Sequence, residues 1–197
     1  MKHLVLAMSV FPAALSAEQT RSVDAHVHGA GTVGIAFSGS DFSLSLEAPG
    51  ADIVGFEHAA VTAEDRDLVQ AAISDLAKPL TLFVVSDEAG CTVKSANVSV
   101  AMSQIGEHET EGDHSGEATE EHDHSEHAED HAAVHSEFHA EYVMTCQNID
   151  AIDGIRFDYF ERFPNAQELD VQVVSPKGAR AYEIGRSDVE LDLREMF

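Results

Sequence analysis

The 197-residue sequence predicts an α+β fold, mainly antiparallel sheet with one or two helices. Three observations carry that expectation. Short runs alternating apolar and polar residues recur along the chain, one stretch alone has a clear helical period, and a central segment rich in histidine and acid has neither pattern.

In chain order, Gly31 to Phe37 and Phe42 to Leu46 alternate on either side of Ser38, Gly39, Ser40 and Asp41, which is a hairpin signature. From Thr62 an acid-rich start, Thr-Ala-Glu-Asp, leads into Leu68, Val69, Ala72, Ile73 and Leu76, which share one helical face before Pro79 stops the run. Leu80 to Val85 and Cys91 to Met102 then read as two strands joined by the turn-prone Ser86 to Gly90. After the central segment a strand runs from Glu137 to Cys146. Residues Ile149 to Phe163 stay open: Ile152, Ile155, Tyr159 and Phe163 suit a helix, while Ile155, Phe157 and Tyr159 suit a strand. Strands follow near Leu169 to Val174, Ala179 to Ile184 and Val189 to Leu193. Strand, helix and strand hairpin on both sides of the central segment suggest an internal pseudo-duplication.

Charge limits the function. With 36 Asp and Glu against 11 Lys and Arg, the formal charge is -25 with the twelve histidines neutral. Such an excess repels phosphate backbones and anionic membrane surfaces, which argues against nucleic-acid and lipid-surface partners. Met1 to Ala17 read as a secretory signal, with Lys2 and His3 ahead of an apolar run from Leu4 to Leu15 and small residues at Ser16 and Ala17. That run is too short to span a bilayer, so cleavage near Ala17 leaves a mature protein, residues 18–197, with no membrane span. An exported chain with two cysteines, Cys91 and Cys146, most simply joins them in a disulfide; a thiolate metal site is the alternative, but no CxxC pair supports it.

The insert, about residues 104–134, is the most unusual segment. From Gln104 to Glu137 there are twelve acids, seven histidines and no Lys, Arg, Phe or Tyr. Such a segment buries too little apolar surface to offset the entropy of ordering it, so it is expected to be a disordered loop between two strands, its base pinned by the Cys91–Cys146 bond. His108, His114, His122, His124, His127, His131 and His135, interleaved with carboxylates, offer many sets of two to four ligands for a borderline cation: Zn(II), and also Cu(II), Ni or Co. A loop without preformed geometry should bind several ions weakly and exchange them fast. The plainer reading is a solvated acidic linker, but this histidine density favours metal capture.

Other histidines are candidates for a fixed site. His26 and His28, spaced His-x-His on an extended segment, lie about 6.6 Å apart on one face, within reach of a single ion. His58 ends Gly55-Phe-Glu-His. On the strand after the insert His135, Glu137, His139 and Glu141 share one face, and Phe138, Ala140, Tyr142, Met144 and Cys146 share the other, which belongs to the core.

The chain resembles the ZrgA-like family of periplasmic zinc-regulated proteins that assist zinc uptake. The resemblance rests on His26-Val-His28-Gly29, Ala48-Pro49 followed by Gly55-Phe56-Glu57-His58, and Cys91 ahead of the His, Asp and Glu-rich insert. His135 through Tyr142 to Cys146 and the Phe160 to Pro164 segment complete it. It implies a single zinc-binding domain over 18–197, in the periplasm, that cooperates with the solute-binding protein of a zinc ABC transporter and does no catalysis. It also implies metal ligands among His26, His28, His58, His135 and His139. The family's first motif often carries an acid where Val27 stands, but on an extended segment that side chain is expected to point away from the pair.

The expected function is therefore a periplasmic accessory protein that captures Zn(II) and aids high-affinity uptake. One alternative is a metal-resistance sponge for excess Zn, Cu or Ni. The other is a small metal-dependent hydrolase, suggested by Asp24-x-His-x-His; against it, the chain is too short for the (β/α)₈ barrel of that class and shows no nucleophile motif or phosphate loop.

Overall fold

A computed structural model describes residues 28–104 and 134–197. Residues 1–17, read above as a secretory signal, His26 and the insert histidines His108 to His131 lie outside the described residues. What is described is mostly sheet with short helices, an α+β architecture.

Among the described residues nine strands form two sheets. One has six strands in the order β4-β5-β2-β1-β7-β8 and the other three, β3-β6-β9. β1 (Ala30–Ser38) and β2 (Asp41–Pro49) form the expected hairpin around Gly39, whose φ of 62° favours glycine. β2 also pairs antiparallel with β5 (Val134–Cys146), which in turn pairs with β4 (Cys91–Gln104). On the other side β1 runs parallel to β7 (Glu168–Ser175), which carries the edge strand β8 (Gly178–Gly185).

Period-two alternation puts one face of the large sheet inside. Val33, Ile35, Phe42, Leu44, Leu46, Phe138, Ala140, Tyr142, Met144, Leu169, Val171 and Val173 are buried, while the intervening residues reach solvent. The small sheet and the helices close over that face. β6 (Gly154–Phe157) contributes Ile155 and Phe157, β9 (Glu190–Asp192) contributes Leu191, and α2 (Ala63–Leu76) contributes Ala72 and Leu76. The centre is aromatic: Phe83 meets Phe157 edge-on at 5.6 Å, and Tyr159 packs on Phe163 at 5.1 Å.

The helix from Thr62 starts where its sequence signal lies. The Thr62 hydroxyl accepts the Asp65 N–H at 3.0 Å and Asp65 accepts the Thr62 N–H at 3.1 Å, a reciprocal cap. Leu68, at the head of the expected apolar face, remains 46% exposed, so the buried stripe begins a turn later.

Elsewhere the local structure differs from the reading. Leu80 to Val85 is not one strand: Pro79 at the first helical position opens the short helix α3 (Pro79–Leu82), and β3 keeps just Phe83–Val84. Nor does β3 pair with β4. A 3₁₀ turn, Asp87–Ala89, and left-handed Gly90 redirect the chain, so that β3 joins β6 in the small sheet while β4 enters the large one. The open segment 149–163 holds a 3₁₀ turn (Ile149–Ala151), then β6, then a helical turn, α4 (Tyr159–Arg162), so each of the two periods describes part of it. The four-residue helix α1 (Gly50–Ile53) has no counterpart in the sequence reading.

Cys91 and Cys146 are directly opposed in the β4–β5 ladder and form a disulfide. The bond is not at the base of the insert. Thirteen Cα pairs run from Cys91↔Cys146 at one end to Gln104↔Val134 at the other, interrupted by one bulge between Val93 and Ser95. At about 3.3 Å per residue the bond lies ~40 Å from the residues where the insert leaves the sheet. Backbone pairing, not the disulfide, closes the insert's base. Among the described residues no helix is long and apolar enough to cross a membrane.

Candidate metal centre

Three segments meet where β4 and β5 release the insert. β5 begins there and presents His135, whose backbone is paired with Ser103. The Ser103 hydroxyl also donates to the His135 carbonyl at 3.4 Å. The end of β2 is the second segment: Pro49 pairs with Glu137, and the chain then turns through α1 to Phe56 and Glu57. A side chain at Gly50 could not fit, because its Cβ would stand 2.0 Å from Ser136 Oγ and 2.7 Å from the Phe56 carbonyl. The start of β1 is the third, bringing His28 and Gly29 alongside.

Glu57 lies between the two imidazoles. Nδ1 of His135 is in hydrogen-bond contact with its Oε2, and Nε2 of His28 is 3.0 Å from its Oε1. The second is an ion-pair approach without hydrogen-bond alignment, so Oε1 has no hydrogen-bond partner among the described residues. Side-chain exposure grades across the group, from 10% at Glu57 through 27% at His135 to 64% at His28. Burial raises the Glu57 carboxyl, but the interactions with His135 and His28 outweigh it and hold the group below its ordinary value.

The three residues each offer a ligand atom, and those atoms lie within 4.8 Å of one another. A tetrahedral ion with bonds of about 2.1 Å needs ligands roughly 3.4 Å apart, so the group would draw in to hold one. Two imidazoles and one carboxylate suit a borderline divalent ion such as zinc, and three protein ligands leave one position open to water or an incoming donor.

Behind this group is Asp52, on α1. It is 2% exposed; its Oδ1 accepts the Gly29 N–H at 2.7 Å, and its Oδ2 has no partner among the described residues. Burial pushes its carboxyl up, opposed by the Gly29 hydrogen bond and by His28, with Glu57 adding to the rise. The Gly29 carbonyl in turn accepts the N–H groups of Gln167 and Glu168, at 2.9 and 2.8 Å. Gly29 has a φ of 91°, and a Cβ there would stand 3.1 Å from Gln167 Cγ. The residue next to His28 is thus bonded on both sides.

Of the candidate histidines, the structure brings together His28 and His135. His139 is on the same face of β5, two repeats along, with Nε2 2.8 Å from Glu137 Oε2 and Nδ1 3.8 Å from Glu47 Oε1. These carboxylates approach opposite sides of its ring and so do not converge with it on one point. His58 is exposed, stacks on Phe56 at 4.5 Å and donates from Nδ1 to the Ala59 carbonyl at 3.0 Å. Glu57 and Asp52 were missed. Both sit in irregular or single-turn backbone, where period says nothing about side-chain direction; the available signals were an acid beside His58 and a lone acid in the apolar run Ala51-Asp-Ile-Val.

Fold and cluster together define an α+β protein with a His, Glu, His group of a kind that can hold a borderline divalent ion. The chain belongs to the ZrgA family: the family described as ZrgA family zinc uptake protein matches residues 25–193. No curated protein matches the chain. Family membership gives the protein a zinc-uptake-related role, in a family not known for catalysis, and with the disulfide it fits an extracytoplasmic protein.

Proposed function

We propose that this protein is a periplasmic zinc-capture accessory, exported by the segment 1–17, that binds Zn(II) at His28, Glu57 and His135 and passes it toward a zinc ABC transporter's solute-binding protein. The observation that carries the proposal is the convergence of these three ligand atoms at the root of the His and acid-rich insert. In this reading His108, His114, His122, His124, His127 and His131 collect ions and the ordered group, one residue beyond Val134, receives them. His26, two residues before His28, is the proposed fourth ligand. His58 and His139 are outlying donors.

The test is zinc titration of the mature protein by competition with a chromophoric chelator, with native mass spectrometry for stoichiometry. Glu57→Gln and His135→Ala should each weaken the tightest site by more than the 10- to 100-fold typical of residues behind a metal's ligands. Deletion of 105–133 should leave that site and remove the weaker, additional ions. An unchanged tight site in both point variants would refute the ligand assignment. An unchanged ion count after the deletion would refute the insert's collecting role.

A further inference from the structure

Asp52 has no part in the ligand group, yet few acids in a protein are so fully buried, and those few are ordinarily paired. One oxygen is satisfied by the Gly29 N–H and the other by nothing among the described residues. A buried acid with an unmet oxygen is costly to a fold, and removing its charge lifts part of that cost. Such a group persists where function uses it.

Its position indicates that use. Gly29, which Asp52 bonds, directly follows His28, and the Gln167 and Glu168 N–H groups hold the same glycine from the other side. His28 is the most exposed of the three proposed ligands and lies in the turn two residues before β1, so it depends most on its backbone being fixed. We propose that Asp52 is a positioning residue for the zinc site: it holds His28 toward Glu57 through the Gly29 N–H, and its buried negative charge is offset when a divalent cation arrives. The inference rests on the zinc-site reading above. It adds that part of the affinity is stored as an unfavourable charge in the metal-free protein.

The sign of two effects separates this from a purely structural role. In Asp52→Asn the amide oxygen can still accept from Gly29 but the charge is gone. Zinc affinity should fall about 10- to 100-fold, as for other groups behind a metal's ligands. Thermal stability of the chelator-treated, metal-free protein should stay level or rise. A structural aspartate would instead lose both together. In the wild-type protein, NMR should show zinc shifting the Gly29 amide and the Asp52 carboxyl carbon, a measurement that needs no variant.

Unchanged zinc affinity in Asp52→Asn, a parallel loss of metal-free stability, or Gly29 and Asp52 signals that ignore zinc would each overturn the inference. Glu57→Gln, run beside it, distinguishes the two readings. If Glu57→Gln weakens zinc and Asp52→Asn does not, the site stands and the role of Asp52 falls. If neither does, the site reading falls and takes the inference with it.

Discussion

Among single side chains Glu57 decides most. It is the carboxylate that both imidazoles approach, and its ionised form is favoured in the fold. A carboxyl held below its ordinary value contributes stability fully above the unfolded value of about 4.5, and that contribution is lost as pH falls through the lower folded value. In chelator, the stability gap between wild type and Glu57→Gln should therefore narrow as pH drops below about 4.5, measured by thermal unfolding at stepped pH; a gap constant to pH 3 would contradict the assignment. Gly29 offers a second check. Gly29→Ala forces a side chain into a left-handed conformation and against Gln167, so it should cost about 1–2 kcal/mol of stability and loosen zinc by displacing His28. Neither residue stood out in the sequence as part of a site. The histidines did, because imidazole is rare enough for its clustering to be read directly, whereas one glutamate among many acids is not.

The strands and the capped helix were the most legible elements. The alternation along β1, β2, β5 and β7 matches the burial residue by residue, including the division of β5 into a core face and a His and Glu face. The Thr62 cap was equally plain, and Thr62→Ala should cost about 1 kcal/mol, a fall of roughly 2–4 °C in melting temperature, while zinc binding is unaffected because α2 contributes nothing to the ligand group. What failed to show was anything decided by partners distant in sequence. Phe83–Val84 pairs with β6, some seventy residues on, rather than with its neighbour β4, and no local pattern announces that choice. The disulfide illustrates the same limit. Its pairing was readable from two cysteines, but its place at the far end of a thirteen-pair ladder was not. Because it closes a loop with a separation of 55 residues, Cys91→Ser with Cys146→Ser should cost roughly 2–5 kcal/mol while leaving the metal group, at the other end, able to bind zinc.

For the whole molecule, the charge of -25 that argues against nucleic-acid partners acquires a location. Twelve of the acids fall between Gln104 and Glu137, and that segment is attached to the sheet beside His135. The core lies on the opposite face of the large sheet, closed by the small sheet and the helices, so the ligand group and the core occupy different sides of β5. Deleting 105–133 and closing β4 to β5 with a short turn should consequently leave the melting temperature of the metal-free protein within a few degrees, since a segment so rich in acid and histidine has little apolar surface to add to a core. The most direct test of the zinc site is a zinc-loaded crystal of the mature protein, with anomalous maps on both sides of the zinc edge. We expect the strongest peak at bonding distance, about 2.0–2.2 Å, from His28, Glu57 and His135 together. A principal peak elsewhere in the ordered sheet, or none at this group under saturating zinc, would contradict it.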